Sequence, residues 1–252
     1  MKNPPLIISH AGCEGLAPRN SLEGIEVALE LGIKYIEVDV QVTRDGIPIL
    51  AHDPIVQLLS GQTLVIPETN AEQLVGKRIY AYSNGELGLT TRLGTLEQAT
   101  TLIPQDATLI VEVKHPRFDP KYETRMNALP ILQEDRVENA IVSCINGTHV
   151  QFISFFPEVL LNIKRLHPET TCGFISEFSS EPLLQAAKAL GASYVVPNYT
   201  HLGKSFVDLT HQQGLRVFTW TVDKELEMLR LAEMGVDGIV TNRPDRALRL
   251  FL

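Results

Sequence analysis

The chain has 252 residues, 44% of them hydrophobic, with a formal net charge of −8 and an isoelectric point near 5.4. That size and apolar share suit one α/β barrel, expected as one domain over residues 1–252. The acidic balance argues against a general nucleic-acid binder, which carries a basic face. Cys13, Cys144 and Cys172 are odd in number and sparse, so they imply no disulfide framework and point to a reducing compartment.

Met1 to Pro5 carries no apolar leader, and no apolar run approaches the roughly 20 residues of a membrane helix. A cytoplasmic protein without stable membrane insertion is expected. Leu6–Ser9 reads as a strand. Cys13 lies near its exit, where a small turn-packing residue is a better reading than a nucleophile. Ser21–Leu31 places Leu22, Ile25, Ala28 and Leu29 on one helical face, with Asn20 or Ser21 to cap it and Gly32 to end it. Lys34–Val42 and Ile47–His52 read as strands. The Thr43-Arg44-Asp45-Gly46 link is too short for a parallel crossover, and Asp-Gly between apolar runs signals a hairpin. Ile47–His52 is therefore expected to return antiparallel, with position 51 or 52 opposite Asp39.

Residues 55–102 are the least regular part, with turn residues at Gly61, Pro67, Gly76 and Gly85. A small insertion is expected there. Beyond it, Thr108–Lys114 reads as strand, Tyr122–Gln133 as helix, and Ala140–Cys144 and Gln151–Phe155 as extended. Then helix and strand alternate: Glu158–Leu166, Thr171–Ser176, Glu181–Leu190, Tyr194–Val196, Leu202–Gln213, Arg216–Val222, Lys224–Met234, Gly238–Thr241 and Pro244–Leu250. This alternation predicts a parallel sheet with helices outside it.

Strand interiors normally reject charge, because an unpaired buried carboxylate costs several kcal/mol or shifts its pKa. Glu37 and Asp39 break that rule two apart, hence on one face. Glu112 and Lys114 do so again. His10 stands at the exit of the first strand and His52 at the exit of the hairpin. Three carboxylates favour an oxygen-preferring cation, Mg²⁺ or Ca²⁺, over zinc; a buried salt-bridge network through Lys114 is the plainer alternative. Imidazole titrates near working pH, so the histidine pair can divide acid and base work. His115, His149, His167, His201 and His211 have no such setting and read as surface or capping residues. Trp220 shares a strand face with Phe218 and on residue chemistry alone belongs to the core. Lys114 can hold a phosphate as a point charge.

These residues, in this order, resemble the glycerophosphodiester phosphodiesterase family. The resemblance rests on His10-Ala11-Gly12, Pro18-Arg19-Asn20-Ser21, Glu37-Val38-Asp39, Thr43-Arg44-Asp45-Gly46, His52-Asp53, Glu112-Val113-Lys114, Ser154-Phe155, Trp220-Thr221-Val222 and Gly235-Val236-Asp237-Gly238-Ile239-Val240-Thr241. It implies a (β/α)₈ TIM barrel with an antiparallel hairpin after its second strand. It implies metal ligation by Glu37, Asp39 and Glu112, acid–base work by His10 and His52, and a substrate wall at Trp220. The implied activity is metal-dependent hydrolysis of glycerophosphodiesters to glycerol 3-phosphate and an alcohol. A lysophospholipid substrate, with Ile55, Val56, Leu58, Leu59 and Leu64 as an apolar mouth, is a competing expectation. A barrel that binds a phosphorylated ligand without turnover is another. Two positions depart from the family pattern: Ala11 replaces an arginine and Arg19 a glutamate. Arg19 is expected to supply the missing positive charge to the phosphate, or else to point to solvent.

Overall fold

A parallel sheet needs both faces covered, and where helices cover one face the other can be buried by closing the sheet on itself. The computed structural model, which describes residues 4–83, 86–119, 122, 129–145 and 149–252, shows that closure. Its strands are β1 (Leu6–Ser9), β2 (Tyr35–Val42), β3 (Pro48–Leu50), β4 (Ile55–Gln57), β5 (Thr63–Val65), β6 (Arg78–Ser83), β7 (Glu86–Arg92), β8 (Thr108–Val113), β9 (Val150–Ser154), β10 (Thr171–Ser176), β11 (Tyr194–Pro197), β12 (Arg216–Thr219) and β13 (Gly238–Thr241). The order β1-β2-β8-β9-β10-β11-β12-β13 is parallel throughout and returns to β1. This is a (β/α)₈ barrel. β3 lies outside the ring, antiparallel to β2, with Val40 opposite Leu50.

The helices α1 (Leu22–Glu30), α2 (Leu96–Leu102), α3 (Arg136–Val142), α4 (Pro157–Leu166), α5 (Glu181–Ala189), α6 (Lys204–Gln212), α7 (Glu225–Met234) and α8 (Pro244–Phe251) surround it. α1 starts where Ser21 Oγ accepts from the Gly24 N–H at 2.9 Å, so Ser21 is the cap and Asn20 is free for other work. Its buried Ile25 and Ala28 join Ile36, Val38 and Val40 of β2 in the layer between barrel and helices. Inside the barrel, Ile8, Ile110, Ile153, Ile175, Val196 and Val240 pack with Tyr194 and Phe218, whose ring centroids are 4.3 Å apart. Gly173 makes room for that pair: a Cβ there would lie 2.0 Å from the Tyr194 ring.

The irregular segment after β3 is a pair of antiparallel hairpins, β4–β5 and β6–β7. Ile49, Ala51, Ile66, Leu74 and Leu93 give it a small core of its own. Val56 and Leu64 pack against that core and Leu58 is buried, so much of the expected apolar mouth is covering instead.

Two expectations are corrected. Ala140–Cys144 is not extended, because Ala140 to Val142 belong to α3. The β-branched pair Ile141-Val142 suggested a strand, but Val137 and Ile141, four apart, bury one helical face. The Arg216–Val222 strand stops at Thr219. The Tyr122–Gln133 helix falls largely outside the described residues; at its far end Pro130–Leu132 is a 3₁₀ turn.

Candidate active site

The alternation of β2 turns Glu37 and Asp39 inward while Val38 and Val40 face the helices. The β2–β8 register sets Glu112 beside Asp39. One carboxylate oxygen from each of Glu37, Asp39 and Glu112 lies within 4.8 Å of the others. The Lys114 ammonium joins Glu112 and reaches Asp39 Oδ1 at 3.1 Å. Asn20 holds Asp39 from the other side: its Nδ2 donates to Asp39 Oδ2 at 2.8 Å, and its Oδ1 accepts from the Asp39 N–H at 2.9 Å. The Ala11 N–H donates to Glu37 Oε2 at 2.9 Å from a left-handed backbone (φ 47°).

Burial and the charges of Asp39 and Glu112 push the Glu37 carboxyl well above the usual range. Burial opposes ionisation of Asp39 too, but Lys114, His52, His10 and the Asn20 amide hold it low. Burial raises Glu112, against the pull of Lys114. Among the described residues Glu37 Oε1 is buried without a hydrogen-bond partner. An orphaned carboxylate oxygen within a three-carboxylate, all-oxygen donor set fits a hard divalent cation.

His10 follows β1. Its Nδ1 is 2.6 Å from Asn242 Oδ1 and 3.5 Å from Glu14 Oε2, and its Nε2 is 4.0 Å from Glu37 Oε2. Asp223 fixes the amide: it accepts from Asn242 Nδ2 at 2.9 Å and from the Asn242 N–H at 2.8 Å. A carboxylate only accepts, so the amide oxygen must face His10 and Nδ1 must carry the proton. Gly15 admits this arrangement, since a Cβ there would lie 1.9 Å from the Asn242 carbonyl oxygen. His52 is brought in by the hairpin. The Ala51 N–H donates to the Asp39 carbonyl at 3.0 Å, and His52 Nδ1 stands 3.3 Å from Asp53 Oδ1.

His10, Arg19, Glu37, Asp39, His52, Glu112, Lys114 and Trp220 all line one cavity of about 330 Å³ at the C-terminal ends of the strands. Arg19 does not point to solvent. Its Nη2 is 3.7 Å from Asp39 Oδ2, and its Nε is buried with no hydrogen-bond partner among the described residues. Trp220 walls the cavity, its Nε1 donating to the Val196 carbonyl at 2.9 Å and Phe155 meeting it edge-on at 5.7 Å. Cys13 is fully buried, and burial raises its thiol pKa. His115, expected as a surface or capping residue, is buried against Phe118.

A sequence model described as the Glycerophosphoryl diester phosphodiesterase family matches residues 10–246. The chain belongs to that family. It is a phosphoric diester hydrolase of the glycerophosphodiester phosphodiesterase class. A glycerophosphodiester phosphodiesterase of Caldanaerobacter subterraneus is 26% identical over 252 residues, which cover 97% of each chain. A phosphodiesterase of Oleispira antarctica, solved in complex with the product sn-glycerol-3-phosphate, has a TM-score of 0.80 at 23% identity, covering 98% of this chain and 96% of that one. The Thermotoga maritima glycerophosphodiester phosphodiesterase has a TM-score of 0.73 at 17% identity, covering 98% and 99%. Every motif read from the sequence except the Thr43–Gly46 turn contributes at least one residue to the wall of the cavity. Asn20, Asn242 and Asp223, which hold the site from behind, carry no chemical signature in the sequence; Asn20 lies inside the Pro-Arg-Asn-Ser motif, the others beside or beyond quoted segments. Among the described residues no helix is long and apolar enough to cross a membrane.

Proposed function

We propose that this phosphodiesterase hydrolyses glycerophosphodiesters to glycerol 3-phosphate and the head-group alcohol, using a divalent cation, Mg²⁺ or Ca²⁺, held by Glu37, Asp39 and Glu112. The observation that carries the reading is the meeting of three carboxylates and two histidines in one cavity with Lys114 and Arg19. The product complex of the Oleispira relative supports the same substrate class.

When bound, the cation supplies Lewis-acid polarisation of a phosphoryl oxygen. The protein's own groups do the rest. Lys114 and Arg19 bring positive charge to the phosphate; the Arg19 Nε makes no hydrogen bond among the described residues and lies 4.0 Å from Glu14 Oε2. His10, with its Nδ1 proton committed to Asn242, presents a lone pair at Nε2. It takes the proton from the attacking oxygen. His52, backed by Asp53, gives a proton to the departing alkoxide as its bond to phosphorus breaks. Trp220 offers an apolar wall against which the substrate packs.

Incubation with glycerophosphocholine or glycerophosphoethanolamine and Mg²⁺ or Ca²⁺, with and without a chelator, tests this reading. Release of glycerol 3-phosphate that stops with the chelator is expected. Turnover indifferent to the chelator rejects the cation. Faster turnover of lysophosphatidylcholine than of glycerophosphocholine rejects the substrate. Tight binding with no product under any metal rejects catalysis.

A further inference from the structure

Arg19 stands between two buried carboxylates. Its Nη2 is 3.7 Å from Asp39 Oδ2 and its Nε is 4.0 Å from Glu14 Oε2, both too long for a hydrogen bond. Attraction alone would draw the guanidinium into a two-pronged grip on one of them, the pairing its planar fork favours. On Asp39 it would compete with the cation for a ligand. On either carboxylate it would spend the N–H edge that a phosphate needs.

What stands against that collapse comes from the insertion. The Arg19 N–H donates to the Tyr82 carbonyl at 2.9 Å, and the Tyr82 ring centroid lies 6.0 Å from the guanidinium carbon. A ring face attracts a cation at that range without consuming its N–H donors. Two further contacts fix the same hairpin to the same loop. Ser83 Oγ donates to the Glu14 carbonyl at 3.1 Å, and Thr91 Oγ1 donates to Glu23 Oε2 at 2.9 Å. β6 and β7 thus hold the chain on both sides of Arg19.

Tyr82 is not needed for the packing of the insertion. It is 44% exposed and lies outside the core of Ile49, Ala51, Ile66, Leu74 and Leu93. The β6–β7 ladder also shifts beside it: Ala81 pairs with Leu89, Tyr82 with Leu87, and Gly88 is left over. Bulges of this kind increase the local twist and re-aim a neighbouring side chain.

We propose that Tyr82 is a positioning residue: its ring holds Arg19 off Asp39 and Glu14 and turned to the phosphate, which makes the β6–β7 hairpin a working part of the active site. This rests on the hydrolysis reading above, which brings Arg19 to the phosphate.

Calorimetric binding of glycerol 3-phosphate to the Mg²⁺-loaded protein, beside turnover of glycerophosphocholine, tests it. Tyr82→Val keeps a strand-forming residue in β6. It is expected to weaken glycerol 3-phosphate binding and to lower kcat/KM, each by about fivefold. Tyr82→Phe, which keeps the ring face, should restore most of both. In an Arg19→Ala background Tyr82→Val should cost nothing more, a coupling that a merely structural role would not show. Should Tyr82→Val fail to fold, Tyr82→Trp decides: its ring binds cations best, so binding at least as tight as the parent's is expected and weaker binding overturns the proposal. Parent-like binding by Tyr82→Val overturns it. So does Tyr82→Phe as weak as Tyr82→Val, an undiminished loss in the Arg19→Ala background, or no binding by the parent. Arg19-dependent loss of binding in a protein without turnover would sink the hydrolysis reading and leave the positioning role standing. Turnover without that coupling would do the reverse.

Discussion

Asn242 Oδ1 stands 2.6 Å from His10 Nδ1, although 232 positions separate the two residues in the chain. The contact fixes which nitrogen of His10 faces the cavity. Asp223 fixes the contact in turn, by accepting both the side-chain and backbone N–H groups of Asn242. Asn242→Ala is therefore expected to lower kcat about 10- to 100-fold, the usual range for a group that orients a functional histidine, with little change in KM. Asp223→Asn should act the same way without touching His10, because the Asn242 amide is then free to turn over. Nitrogen NMR of the His10 ring checks both variants. A parent-like Nδ1–H tautomer in the slow variants would mean that the loss arises elsewhere.

Arg19→Ala should cost about 2–4 kcal/mol of transition-state stabilisation, the range of an oxyanion-hole donor. That is a loss of roughly 30- to 1000-fold in kcat/KM at about 1.4 kcal/mol per tenfold. Arg19→Lys should recover only part, since an ammonium cannot grip two oxygens in one plane. Steady-state kinetics on one glycerophosphodiester decide it; parent-like turnover by Arg19→Ala would return the phosphate to the cation and Lys114.

Cation binding is measurable without turnover. A cation at a hundred times its Kd stabilises the protein by about 2.7 kcal/mol. For a chain of this size that is roughly 5–10 °C in Tm. Glu37→Gln should abolish most of the rise while folding as well as the parent in chelator, because it removes a carboxylate that burial already penalises. Thermal melts with Mg²⁺, Ca²⁺ and chelator give the answer, and an undiminished rise in Glu37→Gln would remove Glu37 from the ligand set.

Far from the site, Glu138 of α3 is fully buried, with Asn162 Nδ2 donating to its Oε1 at 3.3 Å and Oε2 unpartnered among the described residues. Burial raises its pKa from 4.5 to about 7. The folded state thus holds this proton more tightly than the unfolded state. Stability linked to this group is complete below about pH 4.5 and is lost as pH rises through about 7. The full loss is about 3 kcal/mol at 1.36 kcal/mol per pKa unit. Glu138→Gln should flatten that slope and raise Tm by several degrees at pH 8, with little effect at pH 4.5. Denaturant titrations of both proteins across this range test it; parallel pH curves would refute it.

The barrel was legible in the sequence because its signals are local. Strand and helix periods alternate, and the Asp45-Gly46 turn announces an antiparallel return that then sets Ala51 opposite Asp39. Glu37, Asp39 and Glu112 were legible because charge inside a strand is anomalous whatever surrounds it. Asn20, Asn242 and Asp223 were not, since an amide or a carboxylate next to a turn is ordinary until its distant partner is known. His115 was hidden for the same reason. It follows Lys114 and precedes Pro116, a loop setting, and its burial, with Phe118 packed against its ring, is a tertiary feature. The helix at Arg136–Val142 was misread because its β-branched residues favour strands, and tertiary burial of Val137 and Ile141 outweighs that preference.

The segment between β3 and α2 leaves the barrel and comes back at nearly the same point. The Leu50 N–H donates to the Gly94 carbonyl at 2.9 Å, and Ile49 bridges to Thr95. Its ends are thus clasped, and its small core belongs largely to itself. Such an excursion is a cartridge. Its length and content can change while the strands that carry Glu37, Asp39 and Glu112 keep their register, because lengthening a closed loop costs little entropy. His52 and Asp53 sit just past its clasp, and His52 lines the cavity that holds the barrel's carboxylates. Exchange of this one segment between relatives is a route to a new grip on the substrate over unaltered barrel carboxylates.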